Sequence, residues 1–277
     1  MVSASNIPEH ISNASSALSR ACMSGAAVRI GLWLLCPLLM FGSGFARAAL
    51  PEGLSADALV ERADAIRFPQ DPFQVQVSVD SFEGGDAPKR YVYRVLQRGN
   101  ELSIVQTLAP ATERGQIMLS REGDLWVFLP SVSQPVRLPM SQRLTGQVAN
   151  GDLARANFAG DYAATYVGDE QIDGRVHHKL ELKAARSGVT YDRVLYWVDA
   201  ENYYPKKAEF YTLSGRLMKT GYYADFKQTD GGAVRPMQTT FVDATREGER
   251  SVMTYQKFTL RDLPEKIFTK QYLKKLR

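Results

Sequence analysis

Cysteine is almost absent from the sequence, and both cysteines lie near its start. The 277 residues include only Cys22 and Cys36. After position 36 the chain therefore offers no disulfide framework, no thiol nucleophile and no cysteine metal site. Cys36 follows Leu35 and precedes Pro37. A lipid-modified cysteine follows a small residue, so we do not expect a lipid anchor.

Long hydrophobic runs are also scarce. Residues 30–45 form an uncharged, apolar stretch that Pro37 interrupts, whereas a membrane-spanning helix needs about 20 such residues. Arg29 precedes this stretch, and the small-residue pattern Ala46-Arg47-Ala48 follows it. This combination is typical of a secretory signal peptide.

We therefore expect residues 1–48 to be a signal peptide that is cleaved near Ala48. A retained N-terminal anchor is the alternative. Because Met23 would begin a shorter and more ordinary signal peptide, we expect residues 1–22 to result from a misassigned start codon. On this interpretation the functional domain is residues 49–277, and the protein is periplasmic.

A strong excess of one charge is lacking once the signal peptide is removed. The whole chain has a formal net charge of +4 and a pI of about 9.0. Residues 1–48 carry three arginines and one glutamate, so their removal leaves a net charge of +2. Such a balance gives no electrostatic footprint for nucleic acid, and we exclude that class of partner.

Recognisable catalytic motifs are missing as well. The sequence after residue 48 has no phosphate-binding loop and no nucleophile elbow. His177 and His178 are adjacent in a predicted strand and point to opposite faces, so they cannot bind one metal together. Four aspartates fall at predicted strand ends, where turn or capping roles are usual: Asp161, Asp169, Asp173 and Asp199. We therefore predict no catalytic residue, metal or cofactor.

Alternating hydrophobicity is the dominant pattern that the sequence does have. Residues 54–67 predict one helix, which Ser55 caps and Pro69 ends. After this helix the period changes to two, and tight turns separate the apolar runs, as in an antiparallel meander. Twelve segments are predicted strands: 73–80, 91–98, 102–108, 115–120, 124–129, 162–167, 176–183, 191–198, 208–213, 217–226, 236–242 and 251–260.

One segment interrupts the meander. Prolines at positions 130, 135 and 139 exclude central strands there. Residues 141–158 are polar and glycine-interrupted, and they favour one or two short helices. This segment is either an ordinary crossover loop or a lid, and the sequence does not decide between the two.

Apolar residues are more abundant than a sheet with one solvated face requires. Every residue of 125–129 and of 194–198 is apolar or aromatic, and 25 of the 28 aromatic residues lie after Ala48. A one-sided antiparallel sheet shows cleaner alternation. Either helices or the curvature of the sheet cover both faces, or one face lines a cavity for an apolar guest.

Several motifs, in this order and spacing, resemble the outer-membrane lipoprotein-sorting protein family, part of the LolA/LolB-like superfamily of lipoprotein carriers. The resemblance extends over about residues 54–276. Its motifs are GDLWVFLP at 123–130 with Arg137-Leu138, NFAGDY at 157–162, LYWVD at 195–199 with YYPKK at 203–207, and Phe210-Tyr211 with Gly215-Arg216-Leu217.

The resemblance implies a mainly β fold, a single incomplete antiparallel β-barrel of about eleven strands whose concave face is capped by short α-helices. It also implies a non-enzymatic periplasmic carrier that binds acyl chains of a lipid or lipoprotein and moves them between the inner and outer membranes. The partners would be a transporter of the resistance-nodulation-division type and an outer-membrane acceptor. The alternatives are an accessory module of such a transporter that carries no cargo, or a lipid hydrolase.

On this hypothesis, residues 141–158 are the lid of an acyl-chain cavity. The expected lining residues are Val77, Tyr93, Leu119, Trp126, Phe128 and Trp197. The resemblance further implies a strand arginine that latches the lid, with Arg94 and Arg137 as candidates.

Overall fold

The computed structural model describes residue 50 and residues 52–273. The expected signal peptide at residues 1–48, both cysteines and the expected start at Met23 lie outside the described residues. No helix in the described part of the chain combines the length and apolarity that crossing a membrane requires.

The N-terminal helix α1, Ala56–Arg67, forms where the sequence predicts it. The Ser55 side chain accepts a hydrogen bond from the Ala58 N–H at 3.1 Å, which satisfies one of the free donors of the first turn. Leu59 and Ala63 are fully buried against the sheet. The helix ends at Phe68, whose backbone is extended.

Fifteen strands follow, and each of the twelve predicted segments overlaps one of them. Their bounds are β1 Phe73–Phe82, β2 Lys89–Arg98, β3 Leu102–Ala109, β4 Ile117–Arg121, β5 Asp124–Phe128, β6 Val136–Leu138, β7 Arg143–Thr145, β8 Val148–Ala149, β9 Tyr162–Ile172, β10 Arg175–Ala184, β11 Arg193–Asp199, β12 Pro205–Tyr211, β13 Leu217–Gln228, β14 Val234–Asp243 and β15 Arg250–Leu260.

Thirteen of these strands form one antiparallel sheet in the order β6-β5-β4-β3-β2-β1-β15-β14-β13-β12-β11-β10-β9. Among the described residues no ladder joins the edge strands β6 and β9, so the barrel is incomplete, and the expected fold class is confirmed. The sheet has one strand more than the twelve predicted segments, because β6 lies in the proline-containing segment. Proline excludes central strands but tolerates an edge strand such as β6.

A crossing segment, residues 139–161, connects the two edges of the sheet. It contains the short β7–β8 ribbon and a helix α2, Asn150–Ala154. Although its sequence is polar, most residues between 145 and 158 are buried. The polar side chains of this segment therefore need partners inside the protein.

The inner cluster is the larger apolar core, on the face of the sheet that α1 and the crossing segment cover. Alternate residues of β1 supply much of it, namely Phe73, Val75, Val77 and Val79. The crossing segment contributes Val148, Leu153 and Phe158. Both covers therefore close the same face of the sheet.

The outer cluster lies on the opposite face of β3, β4 and β5, and the C-terminal segment, residues 261–273, covers it. This segment contains a 3₁₀ turn at Glu265–Ile267 and a short helix α3, Lys270–Leu273. Leu263, Phe268 and Leu273 pack against the strand residues of the cluster. Strand β5 is thus apolar on both faces because each face has its own cover.

Candidate functional site

A small cavity lies between the inner face of the sheet, the C-terminal end of α1 and the crossing segment. Its free volume is about 30 Å³, which is room for about two water molecules. Aromatic rings dominate its apolar walls, including Phe158, Phe210, Tyr223, Phe241 and Tyr255. An acyl chain cannot enter this volume unless the rings or the crossing segment move.

The crossing segment is fastened to α1 through a buried carboxylate. One oxygen of Asp64 accepts hydrogen bonds from the backbone N–H groups of Phe158 at 2.6 Å and Ala159 at 2.7 Å. The other oxygen pairs with Arg67 at 3.2 Å, and Arg67 also donates to the carbonyl of Ala156. Burial raises the pKa of Asp64, while Arg67 and the two N–H groups oppose that rise.

A second fastening joins α2 to β13. The Lys219 ammonium donates to the Asp152 carboxylate and to the Gln147 carbonyl, each at 2.6 Å. Asp152 also accepts from the Tyr191 hydroxyl at 2.8 Å and from the Ala149 N–H at 2.8 Å. Burial lowers the pKa of Lys219, and Asp152 opposes that shift. The carboxylate is therefore bound by a cation and by two neutral donors.

A third fastening connects the end of the crossing segment with the β2–β3 turn and the β10–β11 loop. Arg155 pairs with Asp161 at 2.5 Å and, through its two terminal nitrogens, with Glu101 in the β2–β3 turn at 2.9 Å. Arg186, in the β10–β11 loop, contacts Glu101 at 3.3 Å and Asp161 at 3.4 Å. The hydrogen bonds from Arg155 lower the pKa of Glu101 to about 2. These ion pairs therefore connect the end of the crossing segment with the β2–β3 turn and the β10–β11 loop.

Two glycines allow the crossing segment to approach its neighbours closely. A Cβ at Gly146 would lie 2.1 Å from Ser81 Oγ and 2.3 Å from Ser251 Oγ. A Cβ at Gly151, in α2, would lie 1.9 Å from Thr190 Oγ1. Larger residues at these positions would push the segment off the sheet.

Two of the six predicted lining residues lie on the inner face. Val77 and Tyr93 are both fully buried in the inner cluster, directly opposite each other on β1 and β2. Neither belongs to the lining of the cavity itself. They support the wall behind it.

The other four predicted residues lie on the outer face. Leu119 and Phe128 belong to the outer cluster, and Trp126 packs against it beneath Lys270. Trp197 is buried between the ammonium groups of Lys179 and Lys207, which lie 4.8 and 4.0 Å from its ring centroid. The structure therefore does not bring the six residues together around one cavity.

Neither candidate for a latching strand arginine lies in the lining of the cavity. Arg94 contacts Gln106, and Arg137 contacts Asp124, both on the exposed surface. Arg235 on β14 instead donates to the carbonyls of Ala65 and Ile66 at 2.8 and 3.0 Å. It is the strand arginine that binds the C-terminal end of α1. Nothing in the alternation of β14 marks it, because its partners are backbone groups.

The histidines and strand-end aspartates form local pairs. His178 Nδ1 lies 2.7 Å from Asp169, and His177 Nδ1 lies 3.0 Å from the Arg175 carbonyl. Asp199 accepts from two backbone N–H groups of the β11–β12 turn, a capping role. Among the residues that the structure describes, no group of three or more His, Cys, Asp or Glu side chains is placed to bind a metal.

Taken together, the fold and site define a class of protein: an incomplete antiparallel barrel whose apolar inner face is covered by a crossing segment. A LolA superfamily protein from Nitrosomonas europaea has a solved structure that covers 79% of this chain and 99% of its own, with 52% sequence identity and a TM-score of 0.76. The chain belongs to the LolA superfamily.

Two more distant structures share the fold. A putative outer membrane lipoprotein-sorting protein domain from Vibrio parahaemolyticus has 19% identity and a TM-score of 0.68, over 79% of this chain and 98% of its own. A DUF1329 family protein from Desulfovibrio piger has 22% identity and a TM-score of 0.66, over 79% and 97%. A family model described as an uncharacterized protein matches residues 99–275. No curated protein matches the chain.

Proposed function

We propose that the protein is a non-enzymatic carrier that binds the acyl chains of a lipid or lipoprotein on the inner face of its barrel. The crossing segment acts as the lid. One observation carries the proposal: an aromatic-lined interior is closed by a segment fastened through polar contacts, in a chain of the LolA superfamily. The guest lies among Phe158, Phe210 and Phe241, on the wall that Val77 and Tyr93 support.

The nature of the fastenings supports a lid that opens. A buried ion pair is often no more stabilising than apolar residues of the same volume, because both charges lose their hydration. Burial opposes the charged forms of both Asp64 and Lys219, as their pKa shifts show. Lifting the segment therefore exchanges the Lys219–Asp152 pair, and the backbone hydrogen bonds of the segment to Asp64 and Arg67, for contacts with water at modest net cost.

The gain from a guest is large enough to offset that cost. Burying an acyl chain contributes about 0.8 kcal/mol for each CH₂ group. A palmitoyl chain has about 14 such groups, so its burial favours the open, loaded state by roughly 10 kcal/mol before ordering costs. Release then requires an acceptor of similar affinity, which suits transfer between membranes.

Residues 1–48 serve in this proposal as a cleaved signal peptide, and the carrier works in the periplasm. An inner-membrane transporter of the resistance-nodulation-division type acts as donor, and an outer-membrane component acts as acceptor. The similarity to a lipoprotein-sorting domain supports this direction of transport.

Native mass spectrometry of protein purified from the periplasm tests the proposal. We expect adducts in the mass range of lipids or lipidated peptides, which organic extraction removes and added lipid restores. Protein that is consistently empty and also fails to take up labelled lipid would contradict it.

A further inference from the structure

The charged groups that line the cavity already have partners of opposite charge. Arg67 pairs with Asp64, Asp152 pairs with Lys219, and Arg155 pairs with Asp161. An anionic or cationic head group would have to displace one of these buried pairs. The lining therefore does not favour a charged guest.

The buried cation next to this cavity lies outside its lining. Arg235 lines a smaller pocket that shares Arg67, Phe68 and Pro236 with the main cavity. It binds two carbonyls at the C-terminal end of α1, where the helix dipole places partial negative charge. Its Nε has no hydrogen-bond partner among the described residues, but Arg235 lines only the smaller pocket and not the cavity itself.

One neutral group in the lining does lack a partner. Asn157 lies in the crossing segment, is only 3% exposed and lines the cavity. Its Nδ2 donates to the Ala159 carbonyl at 3.1 Å, but no described residue donates to its Oδ1. A buried acceptor without a donor is costly, and a donor that reaches it is strongly favoured.

We propose that Asn157 Oδ1 recognises an uncharged hydrogen-bond donor on the guest, a hydroxyl or an amide N–H attached to an apolar body. This inference rests on the proposed carrier function and adds the chemistry of the cargo. The aromatic rings hold the apolar body, and Asn157 selects the neutral polar group beside it. Neutral, donor-bearing lipids are preferred over fatty acids and over acceptor-only esters.

Four ligands with the same sixteen-carbon chain test this preference on the processed protein, residues 49–277. Hexadecanol and hexadecanamide carry a neutral donor, methyl hexadecanoate carries acceptors only, and hexadecanoate is an anion. Each is titrated against protein loaded with the fluorescent probe N-phenyl-1-naphthylamine. We expect the alcohol and the amide to displace the probe at about tenfold lower concentration than the ester or the anion, as one extra hydrogen bond predicts.

The variant Asn157→Leu keeps the side-chain volume and removes the acceptor. We expect it to bind all four ligands alike, while Asn202→Leu, in the β11–β12 turn outside the lining, keeps the wild-type order.

Equal displacement by all four ligands with the wild-type protein, or a preference that survives Asn157→Leu, overturns this inference and leaves the carrier proposal intact. Failure of every ligand to bind overturns both. If Asn157→Leu does not fold, the wild-type ligand series alone decides.

Discussion

The two apolar clusters use neighbouring strands but are closed by different chemistry. The cover of the inner cluster combines apolar side chains such as Val148, Leu153 and Phe158 with a buried ion pair to β13 and two close-packed glycines. The cover of the outer cluster is held mainly by the apolar side chains of Leu263, Phe268 and Leu273. At its rim Arg98 and Arg121 donate to backbone carbonyls. On the proposed function, the outer cover stays closed and the inner cover opens.

The difference lies in the free energy that is needed to separate each cover from its apolar cluster. Peeling the C-terminal segment from the outer cluster exposes apolar surface at about 25 cal/mol for each Å², with nothing to compensate. Lifting the crossing segment rehydrates charges, and a guest then covers the apolar surface that is exposed. The proposed function therefore requires that the inner cover, and not the outer one, moves while the fold is kept.

The largest expected effect is on the outer cover. Phe268 is fully buried in the outer cluster. We expect Phe268→Ala to lower the free energy of unfolding by about 3–5 kcal/mol, because it leaves a cavity as well as losing burial. Urea denaturation measures this loss, and the folded fraction should still bind lipid. A loss well under 1 kcal/mol would mean that the C-terminal segment does not stabilise the fold.

The next effect concerns the inner cover. Lys219→Met removes the cation from Asp152 and leaves a buried carboxylate with only neutral donors. We expect a cost of about 3 kcal/mol, concentrated in the crossing segment. Hydrogen exchange should accelerate in residues 139–158 and stay unchanged in β1 and β2. The exposed pair of Lys227 with Asp225 provides the control, since Lys227→Met should change neither quantity measurably.

A smaller effect is expected from the close approach of α2. Alanine at Gly151 clashes with Thr190, and we expect Gly151→Ala to cost about 1–2 kcal/mol despite the better helix propensity of alanine. Adding Thr190→Ala should relieve the clash, so the double variant should be more stable than the two single changes predict. Thermal denaturation of all four proteins measures this coupling. If the stability effects of the two single changes simply add, the packing of α2 against Thr190 in the β10–β11 loop is contradicted.

The smallest effect concerns Glu101, which is partly exposed. Its pKa is lowered to about 2 by Arg155, so its charge stabilises the folded state above the unfolded pKa of about 4.3. This contribution is lost as the pH falls from about 4.5 to about 2. Glu101→Gln should therefore lower the free energy of unfolding at pH 7 by less than about 1 kcal/mol, which gives a slightly lower Tm. Near pH 2 the variant and the wild type should have the same Tm. A stability difference between Glu101→Gln and the wild type that grows as the pH falls would contradict this role of Glu101.

Helix-capping residues, period-two alternation and turn residues were sufficient to predict α1 and the twelve main strands, because they are local signals. The incomplete barrel was implied only by the resemblance to a known family. The sequence was not sufficient to assign faces. In Leu125-Trp126-Val127-Phe128 both faces are apolar, and the C-terminal segment that covers Phe128 lies more than 130 residues further along the chain. Trp197 likewise needs lysines from two neighbouring strands to be buried on the outer face.

In the polar crossing segment, the sequence was likewise not sufficient to predict which residues are buried. Its polarity suggests an exposed loop, yet Asp152 and Arg155 are buried because Lys219 and Asp161 supply the opposite charges. Lys219 lies 67 residues from Asp152. The available signal was a lysine that alternates with Gly221 and Tyr223 on the inward side of β13.

The most direct test of the account is a reversible lock on the crossing segment. A Cβ on Gly151 would lie 3.0 Å from Thr190 Cβ, so α2 must move outward by about 0.5 Å to reach the separation of about 3.5–4.5 Å that a disulfide spans. No described residue is a cysteine, so Gly151→Cys with Thr190→Cys introduces a single pair. We predict that the oxidised, delipidated protein takes up no labelled lipid and that reduction restores uptake to the same sample. Equal uptake in both states would contradict a lid at residues 139–161.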